Sequence, residues 1–139
     1  MKNTLIVLVF VLMSISTVYA GSGYALKHAN PLPNLMRIAM GNAELLNINA
    51  EQMASLRAWG SENKPKMMMM VNEVMSQEKM LREEALTTDK DVVKKAEKML
   101  DTRRKIIEMK TACRAHLKAV LTEKQYSQVI SIYRSMRQK

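Results

Sequence analysis

From Val92 to Val120 the side chains fall into a row that steps by four and three residues: Val92, Ala96, Met99, Arg103, Ile106, Met109, Cys113, His116 and Val120. That spacing lays one face of a long helix against another helix at a shallow angle. Arg103 is the discordant member of the row. The other face of the same segment carries Lys94, Lys95, Lys98, Asp101, Arg104, Lys105, Glu108 and Lys118. No segment of the chain alternates with the period of a strand, so the expected fold class is all-α.

The rest of the chain divides around that helix. Residues 21–33 hold Gly, Ser, Asn and two prolines without an apolar period, and read as a flexible N-terminal arm. Asn34 can cap a first short helix that draws on Leu35, Ile38, Met40, Leu45 and Leu46, with Gly41 weakening its middle. A second helix begins after Asn49 and runs through Met53, Leu56 and Trp59 toward Leu81, Ala85 and Leu86. Pro65 lies within it, so a kink or break near Gly60 to Pro65 is expected, and a fresh helical start after Pro65, with the proline in its first turn, is equally consistent. Thr87, Thr88 and Asp89 form a turn before the long helix. A last helix carries Tyr126, Val129, Ile130, Ile132 and Tyr133.

Residues 1–20 have the three parts of a secretory signal. Lys2 supplies the charged start, Leu5 to Met13 is unbroken apolar sequence, and Val18-Tyr19-Ala20 ends in a compact exit. A retained membrane anchor is the rival reading, but the apolar run is short of the roughly 20 residues that span a bilayer. Cleavage after Ala20 is therefore expected, and with no Cys following it no lipid attachment is expected there. The remaining 119 of the 139 residues make one domain at most, spanning 34–139 beyond the arm.

Loss of one lysine with the signal lowers the net charge from +9 to +8. A basic surface suits anionic lipids, cell-wall polymers or acidic stretches of unfolded chains. Export and the absence of a DNA- or RNA-reading motif argue against nucleic acid. Cys113 is the single cysteine, so no intrachain disulfide can form; it is buried, bridges to another chain, or serves as a ligand. With one Trp, and with the one Phe in the signal, the chain has little from which to build a core. Burying helix faces in a second subunit would solve that, so a homodimer is expected.

Two short motifs look alike. Ile48-Asn49-Ala50-Glu51-Gln52 and Leu121-Thr122-Glu123-Lys124-Gln125 each place an aliphatic residue, a cap residue, two variable positions and a Gln in order. Each can close a capping box, in which Asn49 with Gln52, and Thr122 with Gln125, satisfy backbone N–H groups left open at a helix start. The pair, separated by a long basic helical region behind a signal peptide, resembles the LTxxQ-motif family of periplasmic proteins, which includes Spy, CpxP, ZraP and CnrX. The second box matches the motif fully, and the first is a variant with Ile for Leu and Asn for Thr. The resemblance spans about residues 35–133. It implies a four-helix hairpin with long central helices, an antiparallel cradle-shaped dimer and a periplasmic location. It further implies an ATP-independent chaperone, a brake on the periplasmic domain of a stress-sensing kinase, or a metal-responsive component.

The chemistry of the side chains bears on these alternatives. Twelve Met remain beyond the signal. Met67, Met68, Met69 and Met70 occupy more than one full helical turn, so some of them must face solvent or a ligand. Methionine adapts to many apolar surfaces, which suits contact with unfolded envelope proteins; its bland role is filler in a loosely packed dimer. Metal binding is the alternative. Met109, Cys113 and His116 lie at i, i+4 and i+7 and offer two sulfurs and an imidazole, a set that favours copper or another soft transition metal. The same three belong to the packing row, where they would be core. Met67 and Met70, at i and i+3, form a second candidate pair, and His28 in the arm could join a site. The resemblance implies several His or acidic ligands in a metal-linked member, and the two His of this sequence depart from that pattern, which argues against zinc- or nickel-type sites and leaves copper. No phosphate loop, Ser-His-Asp set or acid pair beside a His is present, so no enzyme is expected.

Overall fold

The computed structural model of the protein describes residues 26, 28–88 and 90–137. The signal-peptide assignment of residues 1–20 and the first part of the arm lie outside the described residues. Among the described residues the structure is all-helical, built on α1 (Leu35–Gly41), α2 (Ala50–Ala85), α3 (Val92–Val120) and α4 (Glu123–Ser135). A further helical turn includes residues 26, 28 and 29.

The helix starts follow their local chemistry. Asn34 accepts from the Arg37 amide to open α1. Both capping boxes form: Asn49 accepts from the Gln52 amide while Gln52 accepts from Asn49, and Thr122 and Gln125 do the same. Gly41 closes α1 rather than interrupting it, because Asn42 turns back and its amide donates to the Ala39 and Ile38 carbonyls. Leu45 thereby falls outside the helix and is exposed, whereas Leu46 is buried. Asp91 opens α3 from a left-handed conformation, φ 59°, without a side-chain cap.

Pro65 does not break α2. The helix is continuous over 36 residues, about 54 Å at 1.5 Å per residue, with the proline inside it. Pro65 is exposed and its ring takes the place of a backbone donor to the fourth carbonyl before it. In the same turn the Asn63 side-chain amide donates to the Trp59 carbonyl, 3.0 Å. Packing on both sides of the proline, Leu56 before it and Met67, Val71 and Val74 after it, holds the helix together.

The residues that meet across α2 and α3 rise in sequence number along one helix as they fall along the other, so the two helices run antiparallel. Glu84 pairs with Lys95, Glu78 with Arg103, and Trp59 stacks on His116. Two apolar clusters result. One joins Leu56 of α2 and Cys113 and Leu117 of α3 to Leu35, Met36 and Ala39 of α1, to Leu46 and Leu121, and to Val129 of α4. The other sits between the long helices, with Met67, Val71 and Val74 against Ile106, and includes Ala29 from the N-terminal segment. The row predicted along α3 packs inward from Met99 to Val120, its first members Val92 and Ala96 are half-buried, and its basic face is mostly exposed. The apolar course predicted along α2 fades at its end, where Leu86 is among the most exposed side chains.

Candidate functional site

The two boxes meet. Gln52 Nε2 donates to Gln125 Oε1 at 2.9 Å, and Gln125 Nε2 donates back to Gln52 Oε1 at 3.2 Å. Gln52 Nε2 also reaches the Val120 carbonyl, 3.0 Å, at the end of α3. Gln125 Nε2 reaches the carbonyls of Leu46 and Asn47 at 3.1 and 3.0 Å. Asn47 is left-handed, φ 50°, a conformation that Asn adopts more readily than most residues. One glutamine pair thus caps two helices and ties the α1–α2 turn to the α3–α4 turn. This is a structural clasp, and it leaves the function to the surfaces it orders.

The Met run behaves as its spacing requires. Met67 is buried in the cluster between the helices, Met68 and Met70 are half-buried, and Met69 is 68% exposed. Met80, two to three turns on, is also exposed. On α3 a second apolar row faces outward: Val93, Leu100 and Ile107 are 81, 52 and 38% exposed. Their spacing of seven puts them on one helix face, separate from the inward row. Glu97 and Arg104 lie between them in the sequence, and Leu86 stands exposed at the α2–α3 turn. The exposed apolar side chains are therefore set among charges. The seven-residue spacing was visible in the sequence, but the stronger inward row masked it.

The three candidate metal residues of α3 enter different surroundings. Met109 packs on the cluster between the long helices. Cys113 is buried in the other cluster, beside a crevice that Leu32, Met36, Lys110 and Arg114 also line. His116 stacks on Trp59, ring centroids 6.0 Å apart, and lies 3.4 Å from the Ser55 hydroxyl. Burial pushes the Cys113 thiol up, against the opposing effect of the Lys110 ammonium, so the neutral thiol is favoured over the thiolate a metal needs. Burial also pulls Lys110 below the ordinary lysine value. Met67 and Met70 share the cluster that Met109 joins. Among the described residues no group of three or more His, Cys, Asp or Glu side chains is arranged to hold a metal ion.

Arg103, out of place in an apolar row, finds a carboxylate. It pairs with Glu78 of α2, and the other oxygen of Glu78 accepts from His28 Nε2 at 2.7 Å. Arg103 Nη2 stands 3.4 Å from the same imidazole nitrogen. Glu78 is the site residue that sequence reading missed; the signal for it was the unexplained arginine. No helix among the described residues is long and apolar enough to cross a membrane. Searches against protein-family models, curated proteins and solved structures found no match for this chain.

Proposed function

We propose that this protein is an exported, ATP-independent chaperone or envelope-stress adaptor that holds unfolded proteins on a basic, Met-bearing helical surface. The observation that carries the reading is the outward apolar set on the long helices: Met69, Met80, Val93, Leu100 and Ile107, embedded among charged residues. Such a surface offers apolar contact without a deep, shape-selective pocket, and the surrounding charge keeps it wetted. Flexible methionines lower the cost of fitting unrelated sequences. The repeated box and the signal-like start support membership of the LTxxQ group and a periplasmic location. In that reading α2 and α3 form the arms of a hairpin, and two copies join as an antiparallel cradle. As a stress adaptor the protein would use the same outward row to hold the periplasmic domain of a sensor kinase in place of an unfolded client.

The test is suppression of aggregation. The purified protein, without nucleotide, should lower light scattering from a chemically denatured client at near-stoichiometric ratio. Unchanged scattering at a twofold excess of protein would end this reading.

Copper(I) binding is the second reading. It rests on the two sulfurs and one imidazole that Met109, Cys113 and His116 set at i, i+4 and i+7 of α3, although the three side chains enter different surroundings. Competition with a chromogenic Cu(I) chelator tests it. Equal copper uptake by the wild type and by a Met109→Ala, Cys113→Ala, His116→Ala variant would exclude that site and leave Met67 and Met70 to examine.

A further inference from the structure

The N-terminal segment before α1 is docked where an arm had no need to be. Ala29 is only 2% exposed and belongs to the buried cluster of Met67, Val71, Val74 and Ile106. Leu26 packs against the same cluster, at whose edge Met70, Met75 and Met99 are half-buried. Asn30 is buried too, and its amide donates to the Leu26 carbonyl at 3.1 Å, closing a helical turn. Its side chain then holds Leu32 through bonds in both directions, 3.0 and 3.2 Å. On the outer side of the turn, His28 bonds the Glu78 carboxylate that Arg103 holds in place. A short peptide with one apolar face and one polar anchor is thus seated on a Met-edged groove between two helices.

We infer that this groove is a peptide-binding site and that the segment carrying Leu26, His28, Ala29 and Asn30 is its resident ligand, an internal strap that an incoming apolar segment of an unfolded chain displaces. The segment has the character of such a client: a small apolar contact surface, few side chains, and prolines at Pro31 and Pro33 that end its helical turn. Leu26, Ala29 and the His28 anchor dock it, whereas α2 and α3 meet along both apolar clusters, so opening costs less than separating the long helices. The polar anchor fixes register. Glu78 is committed to Arg103 whether or not the strap is seated, so release of His28 does not strand a lone carboxylate between the helices. Tethering raises the local concentration of the strap to the millimolar range, enough to screen the methionines from weak contacts while yielding to a better ligand. The identity of the competitor rests on the proposed chaperone function; the strap and its groove do not.

The test introduces Ala29→Glu, which alters only the strap and cannot be seated in an apolar cluster. Far-UV circular dichroism should be unchanged, and amide exchange at Asn30 should lose its protection. A fluorescent peptide of residues 24–33, followed by anisotropy, should bind Ala29→Glu about tenfold more tightly than the wild type, whose groove is already filled. His28→Ala, which removes the anchor and keeps the apolar contact, should fall between them. Client suppression should improve in the same order. Continued protection of Asn30 in Ala29→Glu would overturn the inference, as would equal peptide affinity for variant and wild type. If the peptide behaves as expected but no client is protected by any form, the chaperone reading falls and the strap stands. If the wild type protects clients and Ala29→Glu protects them no better, the strap is no gate and the chaperone reading survives.

Discussion

Replacing Gln125 by Leu should be among the most destabilising single changes in this protein, and the hydrogen bonds it makes say by how much. The side chain is 9% exposed. Its Nε2 serves the Leu46 and Asn47 carbonyls and Gln52 Oε1, and its Oε1 accepts from the Thr122 amide at 2.9 Å and from Gln52 Nε2. Leucine has similar volume, so the loss is polar rather than a cavity. Two carbonyls lose their side-chain donor, at about 1 kcal/mol each, and the lost cap adds about 1 kcal/mol. The expected total is about 3 kcal/mol. Gln52→Leu, more exposed and reaching one carbonyl, should cost about 2 kcal/mol. The two residues share their reciprocal amide pair, so the double variant should be about 1 kcal/mol less destabilised than the sum of the singles. Urea unfolding followed by far-UV circular dichroism, at one fixed protein concentration, measures all four corners of the cycle. Glu123→Gln, on the exposed first turn of α4, should stay within about 0.5 kcal/mol of wild type. A cost below about 1 kcal/mol for Gln125→Leu, or strict additivity with Gln52→Leu, would refute the clasp as the element that closes the base of the fold.

Other outcomes follow from the same structure. Pro65→Ala restores a backbone donor to an unbroken helix at an exposed position, so it should raise stability by about 1–3 kcal/mol in thermal unfolding; a fall would show that the proline shapes the packing of Met67 and Val71. Changing Val93, Leu100 and Ile107 together to Ser should leave unfolding nearly unchanged yet weaken client suppression several-fold in light scattering, and undiminished suppression would remove this row from the binding surface. Cys113 should react with a thiol reagent at pH 8 at least about tenfold more slowly in the folded protein than in urea, because burial both shields the sulfur and raises its pKa. The sign for stability follows: the folded state holds the thiol proton to higher pH than the unfolded state does. Cys113 therefore adds stability below its ordinary value of 9.0 relative to higher pH, and this is lost as pH rises through its raised folded value. Cys113→Ser should flatten that part of the pH–stability curve.

Local signals in the sequence carried far, and their reach ended where distant residues met. The cap residues Asn34, Asn49 and Thr122 were legible because capping is settled within four residues. The inward row of α3 was legible because a 3.5-residue period survives over many turns. A break at Pro65 is what local propensity suggests, and the helix runs on through it because contacts on either side override that preference. Gly41 was placed inside a helix that it ends, since nothing in its neighbours distinguishes a weak middle from a stop. The docking of Ala29 depends on Met67, Ile106 and a carboxylate that lies 50 positions beyond the neighbouring His28, which no window over residues 21–33 contains. The two boxes were recognised as a pair, but their alikeness did not reveal that their glutamines bond each other.

That last contact has a consequence in time. Gln52 and Gln125 are 73 residues apart, and between them lie almost all of the two long helices. Synthesis runs from the N-terminus, so a growing chain possesses a complete α2 before Gln125 exists. Until then Gln52 can cap its own helix but has no mate, and the Leu46 and Asn47 carbonyls face water. Closure waits for residues 122–125, and a chain truncated before Gln125 loses the lock on a helix whose own sequence is intact. The amide pair thus makes the capping of an early helix start depend on a residue that is synthesised 73 positions later.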